Sequence, residues 1–592
     1  MEFATGGSIG SENPQRRAGH VNENARVVFW VDIFLLGILG LSVLLVLPRA
    51  LARLSVSSEL KQGHLIYRAT PGPQTDSQSV NSGARLFEAS LNEKDTISAV
   101  PRHAPAMTTP LRSLTSILRI PIVGRIHLGG CLLLLAYFGV LLFAALYKTS
   151  LFTNPVRAGY VVVSQIPVVF LFATKNNLIS MLLGVGYDHV NYIHRFSGRL
   201  LVLAGNVHAI GYIYKWTMEG KFTETIQEPK FVWDLVALVC LDILFFFSLA
   251  IWRQKAYNVF LASHIVGFVL LLVAACLHMS ASIPYVAAGA GLYVFDFLLR
   301  LLKTRVCTAR IQRLPELCMT RVQISRLNAG WRAGQHVRVR VLSFQMGWYG
   351  WSEVHPFTIA SASDASSQEG LIILCKNTGR WTQRLYDMAH EDRRWEYGGN
   401  TVRVMLEGPY GGPGNTINAS FSGALFAVGG GGISYALSAV QELVQRAAER
   451  TSSVTVLDLL WAVHHPDCLT PMVPAFTQLL LQSASTMTTL QISVFYTRAE
   501  TIKHAIPLLD LPSGLTLNPG RPHLSARLAD LVERTYASPH LPGCGEKHRG
   551  VFMGVCGPVE LGECARKAID DVDSGIQKAV GGVELHEEIY AL

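Results

Sequence analysis

Two apolar stretches of the chain each begin and end on a histidine, and both have the same spacing. HRFSGRLLVLAGNVH runs from His194 to His208, and HIVGFVLLLVAACLH runs from His264 to His278. Fourteen residues are close to four helical turns, so the two histidines of a stretch lie within about 40° of one helix face and about 21 Å apart. An ionisable residue in an apolar helix usually marks a functional site. The spacing therefore predicts two helices that each carry a histidine at two separate levels.

These stretches belong to a set of seven apolar runs that approach the ~20 residues needed to cross a bilayer. The runs lie at 27–47, 126–147, 159–182, 194–214, 232–252, 259–279 and 283–302. We expect the third span to end near Ala173, because Lys175 and two asparagines follow it. The fourth and sixth runs are separated by one helix, so they are predicted to run parallel.

Parallel helices place the histidines in facing pairs. His194 is then level with His264, and His208 is level with His278. Two facing histidines can supply both axial ligands of a haem iron, so the pattern predicts two stacked haems. Gly198, Gly205 and Gly267 leave space either for a flat macrocycle or for close helix contact. Arg195 and Arg199 are open to two interpretations: partners of haem propionates, or charges that set membrane topology.

Composition divides the chain into a membrane half and a soluble half. Charged residues make up only 16% of the 592 residues, below the roughly one quarter typical of soluble domains. The net charge of +9 lies largely beside apolar runs, which indicates membrane topology rather than nucleic-acid binding. The Lys and Arg bias predicts a cytosolic soluble half and an extracellular N-terminus at 1–26, which has no apolar core for a cleavable signal. Residues 48–125 are predicted to form a flexible cytosolic loop, because 61–110 are rich in Ser, Thr and Pro. Ten cysteines without regular pairs suggest neither a disulfide scaffold nor a zinc site.

The soluble half shows two successive patterns. Residues 304–415 contain short alternating strands such as QHVRVRVLS, which predict an antiparallel barrel. Residues 420–592 alternate buried strands with amphipathic helices, which predicts a parallel α/β sheet.

Two motifs in the first pattern indicate a flavin site. HPFTIAS offers His355, Pro356, Phe357 and Thr358 at a strand, where the threonine hydroxyl can bond a flavin; a plain strand start also explains it. KNTGRWTQRLYDM places Gly379, Arg380 and Thr382 at a helix N-terminus, either as a pyrophosphate site or as an ordinary cap.

Two motifs in the second pattern indicate a nucleotide site. AVGGGGIS lets backbone N–H groups approach a phosphate, and its residues are Gly429, Gly430, Gly431, Gly432, Ile433 and Ser434. VCGP, with Cys556, Gly557 and Pro558, can admit a nicotinamide beside a flavin, or it can hold an ordinary buried cysteine.

Together and in this order, these motifs resemble the fungal ferric reductase family, part of the wider group that includes the NADPH oxidases. The resemblance covers roughly residues 120–592 and the first membrane run, and includes EGPYGG at 407–412. It implies a bundle of about seven membrane helices, with a six-helix haem-binding domain at 126–302. It also implies a cytosolic ferredoxin-reductase-like module, formed by an antiparallel β-barrel FAD domain and an α/β Rossmann-like nucleotide domain.

The family further implies bis-histidine b-type haems at the two histidine levels, FAD at His355–Thr358, and Tyr590 over the flavin ring. The chain departs from the family after the second strand of the nucleotide domain. Where relatives usually carry an arginine for the 2′-phosphate of NADPH, this chain has His464 and His465. Arg521 can compensate, so NADPH is preferred to NADH.

The expected activity is transmembrane metal reduction, with electrons passing from cytosolic NADPH through FAD and two haems to external Fe³⁺ or Cu²⁺ chelates. No catalytic residue is expected beyond those that hold cofactors. Uptake through an iron permease or a multicopper oxidase pathway would follow, at the plasma membrane or the vacuolar membrane. One alternative is a superoxide-generating NADPH oxidase. Another is a transporter or channel whose histidines relay protons or bind metal.

Overall fold

The computed structural model describes residues 14–70, 100–105, 117–123, 126–151, 154–364, 366–389, 400–498, 511–539 and 547–589. It divides into two compact units. The first unit contains most of the apolar runs, and the second contains residues 46–109, 181–186 and 300–592.

The helices account for the apolar runs and for the α/β part of the soluble half. In chain order they are α1 (Pro14–Leu54), α2 (Ser57–Lys61), α3 (Leu128–Leu146), α4 (Val156–Ser164), α5 (Ile166–Ala173), α6 (Leu178–Leu183), α7 (Tyr187–Met218), α8 (Phe222–Thr225), α9 (Pro229–Phe247), α10 (Ala250–Lys255), α11 (Tyr257–His278), α12 (Ile283–Leu302), α13 (Arg380–Met388), α14 (Ile433–Ala448), α15 (Val473–Ala484), α16 (Leu524–Ala537), α17 (Val559–Asp571) and α18 (Ser574–Ala579).

Five helical stretches in the described part of the chain are long and apolar enough to cross a membrane. They are Glu23–Leu54, Leu128–Leu146, Val156–Ala173, Tyr257–His278 and Ser280–Leu302. The other two predicted spans are also helical, as α7 and α9, but they fall outside this set. They are more polar, because α7 carries both arginines and three histidines, while α9 carries three charged residues.

The third span ends where the sequence predicted. α5 stops at Ala173, and the backbone N–H groups of Lys175 and Asn176 donate to the carboxylate of Asp296 at 3.1 and 2.8 Å. Those hydrogen bonds satisfy N–H groups that follow the helix end, so the chain turns there without leaving them unpaired. The span is interrupted once, at Gln165, between α4 and α5.

The first helix corrects the prediction of a flexible loop from residue 48. α1 continues through Pro48 to Leu54, and α2 follows at Ser57–Lys61. Tyr67 then forms a β-bridge with Ala329. The loop prediction is therefore wrong for residues 48–69, because side chains there find partners far away in sequence. Residues 71–99 and 106–116 of the predicted loop lie outside the described residues.

The strands form one short hairpin and two six-stranded sheets. In chain order they are β1 (Pro121–Val123), β2 (Ile126–His127), β3 (Thr304–Leu314), β4 (Met319–Ile324), β5 (Gln335–Val341), β6 (His355–Thr358), β7 (Leu371–Lys376), β8 (Thr401–Gly411), β9 (Gly423–Gly429), β10 (Val456–Val463), β11 (Thr489–Tyr496), β12 (Leu515–Pro519), β13 (Val551–Gly557) and β14 (Val583–Ile589).

The first large sheet is antiparallel, with strand order β6-β5-β8-β3-β4-β7. A bridge between Ile359 and Ile373 joins its two edges, so the sheet nearly closes into the predicted barrel. Alternate residues of β5 point inward and are buried, as expected for strands with one face on a core. The barrel core includes Val337, Val339 and Ile373.

The second large sheet is parallel, with strand order β12-β11-β10-β9-β13-β14. Its central strands are buried along almost their whole length, as expected when helices cover both faces. One face packs on α14 and α15 through residues such as Val440 and Phe476. The other face packs on α16 and α17 through residues such as Leu528 and Ala565. The predicted fold class is confirmed in both halves.

Candidate functional site

The first facing pair of histidines joins α7 to α11. The ring centroids of His194 and His264 lie 6.2 Å apart, with their planes inclined by 72°. Two imidazoles that share one metal through nitrogens at about 2 Å have ring centres roughly 6 Å apart. The structure thus brings these two residues together, at a separation that suits a single iron.

The second facing pair has an additional carboxylate. One ring nitrogen each of His208 and His278 and one oxygen of Asp234 lie within 4.8 Å of one another. The Nε2 atom of His278 is 3.8 Å from the carboxylate oxygen. Asp234 lies on α9, the helix between α7 and α11 in sequence. The sequence reading missed this residue, although an acidic group in an apolar run is itself a signal of function.

All four histidine rings have their Nδ1 atom engaged, which leaves Nε2 available for a metal. In three of them Nδ1 lies close to a backbone carbonyl oxygen: Val169 at 3.0 Å for His194, Pro155 at 2.8 Å for His208, and Lys230 at 2.9 Å for His278. A carbonyl oxygen only accepts hydrogen bonds, so these Nδ1 atoms carry the proton. The Nδ1 atom of His264 lies 3.2 Å from the Ser248 hydroxyl. Such contacts fix the tautomer and ring orientation of metal-ligating histidines.

Glycines around these rings have two distinct roles. A Cβ atom on Gly159 would come within 2.6 Å of the His208 ring, so only glycine leaves space for that ring. Gly205 and Gly267 pack closely against leucines of α9, because a Cβ atom on either glycine would lie 2.6 or 3.1 Å from a leucine side chain. Gly198, one turn after His194, has nothing within 4 Å of its Cβ position. Gly198 therefore borders open space on the histidine face, and the other two mediate helix contact.

The histidine donor set fits the haems that the sequence predicts. Each level offers two Nε2 atoms, from different helices, with second-sphere hydrogen bonds in place. Arg195 and Arg199 are both exposed on α7, and their part in haem binding stays a prediction.

The predicted flavin residues lie around one tryptophan. Trp381, in the first turn of α13, has its ring centroid 4.5 Å from that of His355 and 5.9 Å from that of Phe357. Pro356 is exposed, and Thr358 is half-buried opposite His336 of β5. The contacts through Trp381 therefore join the HPFT strand to the helix that carries the second flavin motif.

The N-terminus of α13 is suited to a pyrophosphate. The Thr382 hydroxyl accepts hydrogen bonds from the backbone N–H groups of Thr378 and Gly379, both at 3.0 Å. Arg380 is exposed beside them. A Cβ on Gly379 would meet nothing within 4 Å, so space remains for an anion at a helix N-terminus.

The two predicted nucleotide motifs lie side by side at the carboxyl edge of the parallel sheet. β9 ends at Gly429, a turn of three glycines follows, and α14 begins at Ile433 and Ser434. The Cβ position of Gly432 lies 2.3 Å from the carbonyl oxygen of Cys556, and that of Gly429 lies 3.4 Å from the Pro558 ring. Larger side chains are excluded at Gly432, which keeps the turn against the Cys556–Gly557 strand end.

Cationic residues near this turn were missed by the sequence reading. The Nζ atom of Lys376, at the end of β7, lies 3.6 Å from the Cβ position of Gly430. The backbone N–H of Arg498 donates to the carbonyl of His464 at 3.0 Å. Partial burial lowers the pKa of His464, and the charges of Arg498 and Lys376 lower it further. Both cations belong to elements remote in sequence, so no local motif reveals them.

Arg521 lies further from the glycine turn than expected. It follows β12, which is three strands from β9 in the sheet, a distance of about 14 Å at ordinary strand spacing. β10, which precedes His464 and His465, is next to β9. Tyr590, predicted to lie over the flavin ring, falls outside the described residues.

Two parts of the chain match models of known protein families. Residues 158–275 match the family model "Ferric reductase like transmembrane component", and this range includes three of the four paired histidines. Residues 304–414 match the model of a FAD-binding domain, which covers the barrel. The chain resembles the fungal ferric reductases. It is an integral membrane protein with a FAD-binding domain.

Individual relatives carry the same description. Ferric reductase transmembrane component 5 of Saccharomyces cerevisiae is 27% identical over 321 residues, which cover 53% of this chain and 44% of that protein. Ferric/cupric reductase transmembrane component 2 of Schizosaccharomyces pombe is 24% identical, over 64% of this chain and 71% of that protein. The chain spans less than half the length of several of the relatives it matches. Among solved structures, the ferredoxin reductase of carbazole 1,9a-dioxygenase aligns with a TM-score of 0.30 and 12% identity, over 48% of this chain and 69% of that chain.

Proposed function

We propose that this protein is a transmembrane metalloreductase that takes electrons from NADPH and delivers them singly to ferric or cupric ions on the opposite side of the membrane. The observation that carries the proposal is the double histidine pairing. Two levels of facing rings, each with Nδ1 engaged, offer two bis-imidazole sites on α7 and α11.

His194, His208, His264 and His278 of the membrane unit would hold the haem irons. The carbonyl oxygens of Val169, Pro155 and Lys230 accept hydrogen bonds from the Nδ1–H groups of three of these rings, which leaves Nε2 as the unprotonated nitrogen. Ser248 bonds the fourth ring. Because Nε2 is a strong ligand only when deprotonated, the three carbonyls keep their rings in the ligating tautomer.

When bound, the flavin converts a two-electron hydride into single electrons, and the haem irons carry these one at a time. The balance is one NADPH for two Fe³⁺, which yields NADP⁺, two Fe²⁺ and one proton.

The soluble half supplies binding and orientation for the two nucleotides. The FAD pyrophosphate would be bound by Gly379, Arg380 and the capped N-terminus of α13, where the Cβ position of Gly379 has nothing within 4 Å. The glycine turn before α14 would bind the pyrophosphate of NADPH. We assign the 2′-phosphate to the cations around His464, namely Arg498 and Lys376, in place of Arg521.

The test is a cell-surface ferric-chelate assay on cells that express the full chain. His208→Ala and His278→Ala are expected to abolish NADPH-dependent ferric reduction and to leave one haem per chain in purified protein. His189→Ala is the matched control, because His189 also lies on α7, its side chain is 48% exposed, and its ring pairs with the neighbouring Asp188 at 3.7 Å.

Ferric reduction that persists in both variants would refute the two-site electron path. Superoxide dismutase separates the acceptors: loss of ferric reduction on its addition would show that oxygen, and not the metal chelate, receives the electron. A purified protein without any haem absorbance would refute the proposal altogether.

A further inference from the structure

Residues 57–69, which we call the strap, are built into the barrel although they precede it by more than 200 residues. The backbone N–H of Tyr67 donates to the carbonyl of Ala329 at 2.9 Å, and the reverse bond measures 3.2 Å. The side chain of Ile66 is 2% exposed and belongs to the barrel core. The strap is therefore a structural part of the barrel, and its loss would open that core.

One acidic residue of the strap reaches two different parts of the soluble half. Glu59 is 1% exposed. Its carboxylate lies 2.9 Å from Nε of Arg332, in the loop before β5, and 2.5 Å from a guanidinium nitrogen of Arg446, in the last turn of α14. Burial acts to raise the pKa of Glu59, but these two guanidiniums, with the charge of Arg53, outweigh it and hold the pKa below its usual value. The group is ionised at neutral pH and links the barrel to the nucleotide sheet.

Other contacts show that the same two elements are packed together at this point. The backbone N–H of Ala333 donates to the carboxylate of Glu442 at 2.8 Å, and Glu442 also pairs with Arg446 at 3.0 Å. Gly334 has a φ of +87°, and a Cβ there would lie 2.9 Å from the ring of Tyr435. The loop before β5 thus lies directly on α14. The negative charge of Glu59 faces the arginines of both elements, Arg332 and Arg446.

Both elements lead to a nucleotide site. α14 begins immediately after the glycine turn, and Arg446 is 13 residues beyond Ile433, about 20 Å along the helix axis. β5 pairs with β6, which carries the HPFT motif. Glu59 therefore fixes the far end of the helix that starts at the NADPH site, relative to the strand that neighbours the flavin site.

We propose that Glu59 is a positioning residue for hydride transfer, which holds the nucleotide sheet and the flavin barrel in the register that brings donor and acceptor carbons together. The inference rests on the proposed function, because it requires NADPH and FAD at these two sites. Reacting atoms need to approach within about 3–3.5 Å, and a displacement near 1 Å can cost on the order of 100-fold in rate.

The test is anaerobic stopped-flow reduction of the flavin by NADPH, with the purified full-length protein loaded with FAD and haem. Glu59→Gln keeps the shape of the side chain and removes its charge, which leaves the guanidiniums of Arg332 and Arg446 under-neutralised. We expect the limiting rate of flavin reduction to fall at least tenfold. The NADPH concentration at half-maximal rate should change less than twofold, because neither nucleotide is contacted by Glu59.

Asp458→Asn is the matched control. Asp458 is 4% exposed and pairs with Arg534, but both residues lie within the nucleotide half, so its loss should lower the melting temperature without slowing flavin reduction. If Glu59→Gln reduces flavin at the wild-type rate, the proposal is wrong. Equal slowing in both variants would also overturn it, since the effect would then follow stability alone.

A second variant keeps the test decisive if Glu59→Gln does not fold. Glu59→Asp retains the charge but is too short to reach both guanidiniums, so we expect an intermediate slowing of about threefold. A wild-type rate in this variant would count against the proposal. If the unmodified protein itself fails to reduce flavin with NADPH, the proposed function is at fault rather than the role of Glu59.

Discussion

The two histidine levels share one sequence spacing but have different surroundings. Around the His194 level, the ring of His264 is flanked by Phe260 and Phe268, at centroid distances of 5.4 and 6.5 Å. At the His208 level, the partner His278 lies 3.8 Å from the carboxylate of Asp234.

Equal spacing of the histidines therefore does not make the two sites equivalent. A nearby carboxylate stabilises the more positive, oxidised state of an iron, while an aromatic shell does not. With His208 and His278 as the ligands, Asp234 would act on a haem bound there through its charge. We therefore expect the site at the His208 level to have the lower reduction potential of the two, all else being equal.

The largest expected effect comes from deleting one ligand at each level in turn. His264→Ala should remove only the haem of the His194 level, and His278→Ala should remove only the other. Each variant should then retain one haem per chain by pyridine haemochrome assay, with different midpoint potentials in a spectroscopic redox titration. Two variants with the same residual potential would contradict the difference between the sites.

Gly159→Ala tests the space around His208. The added methyl would lie 2.6 Å from the ring, so the ring must move away from its Pro155 hydrogen bond. We expect haem occupancy at that level to fall about tenfold, within the range found when outer-sphere partners of a ligand are lost. Gly139→Ala is the control, because its Cβ position in α3 has nothing within 4 Å. Full occupancy in Gly159→Ala would show that the site tolerates the shift.

Ser248→Ala tests the hydrogen bond to His264 at the His194 level. Its hydroxyl is the side-chain partner of His264, whereas the other three rings bond to backbone carbonyls that no substitution removes. Haem affinity at the His194 level should weaken by about tenfold, measured by haem titration of the apoprotein, with the other level unchanged. Ser263→Ala, whose hydroxyl bonds only within its own helix, serves as the control, and equal weakening there would argue against the assignment.

The smallest expected effect is that of Asp234→Asn. Removal of the negative charge should raise the midpoint potential at the His208 level by about 60 mV, a tenfold change in equilibrium for one electron. The His194 level should not shift. Asp242→Asn provides the comparison on the same helix, since Asp242 bonds to Asn206 instead. If both substitutions shift the potential equally, the proximity of Asp234 has no special effect.

Much of this arrangement follows from local sequence patterns. The histidine pairing could be predicted because 14 residues are nearly a whole number of helical turns. The barrel strands could be predicted because one face is buried, and the parallel strands because both faces are buried. Each of these signals lies within a single short window of the chain.

The remaining features depend on contacts between distant residues. Lys376 ends β7 of the barrel and Arg498 follows β11 of the parallel sheet, and their charges act on His464 only because the fold brings those strand ends near it. The short polar segment around Glu59 is typical of an exposed surface charge. Only the fold shows that its carboxylate pairs with the guanidiniums of Arg332 and Arg446. Asp234 could have been found, since a charged residue stands out in an apolar run.

The strap also has a consequence for how the chain is made. Glu59 and its partner Arg446 are 387 residues apart. At a synthesis rate of 5–20 residues per second, about 20 to 80 s separate the emergence of the two residues from the ribosome. Ile66 has no barrel to enter until β8 ends at Gly411, and Glu59 meets Arg446 only at the end of that interval. The strap must therefore stay accessible in the nascent chain until the barrel and α14 have been made.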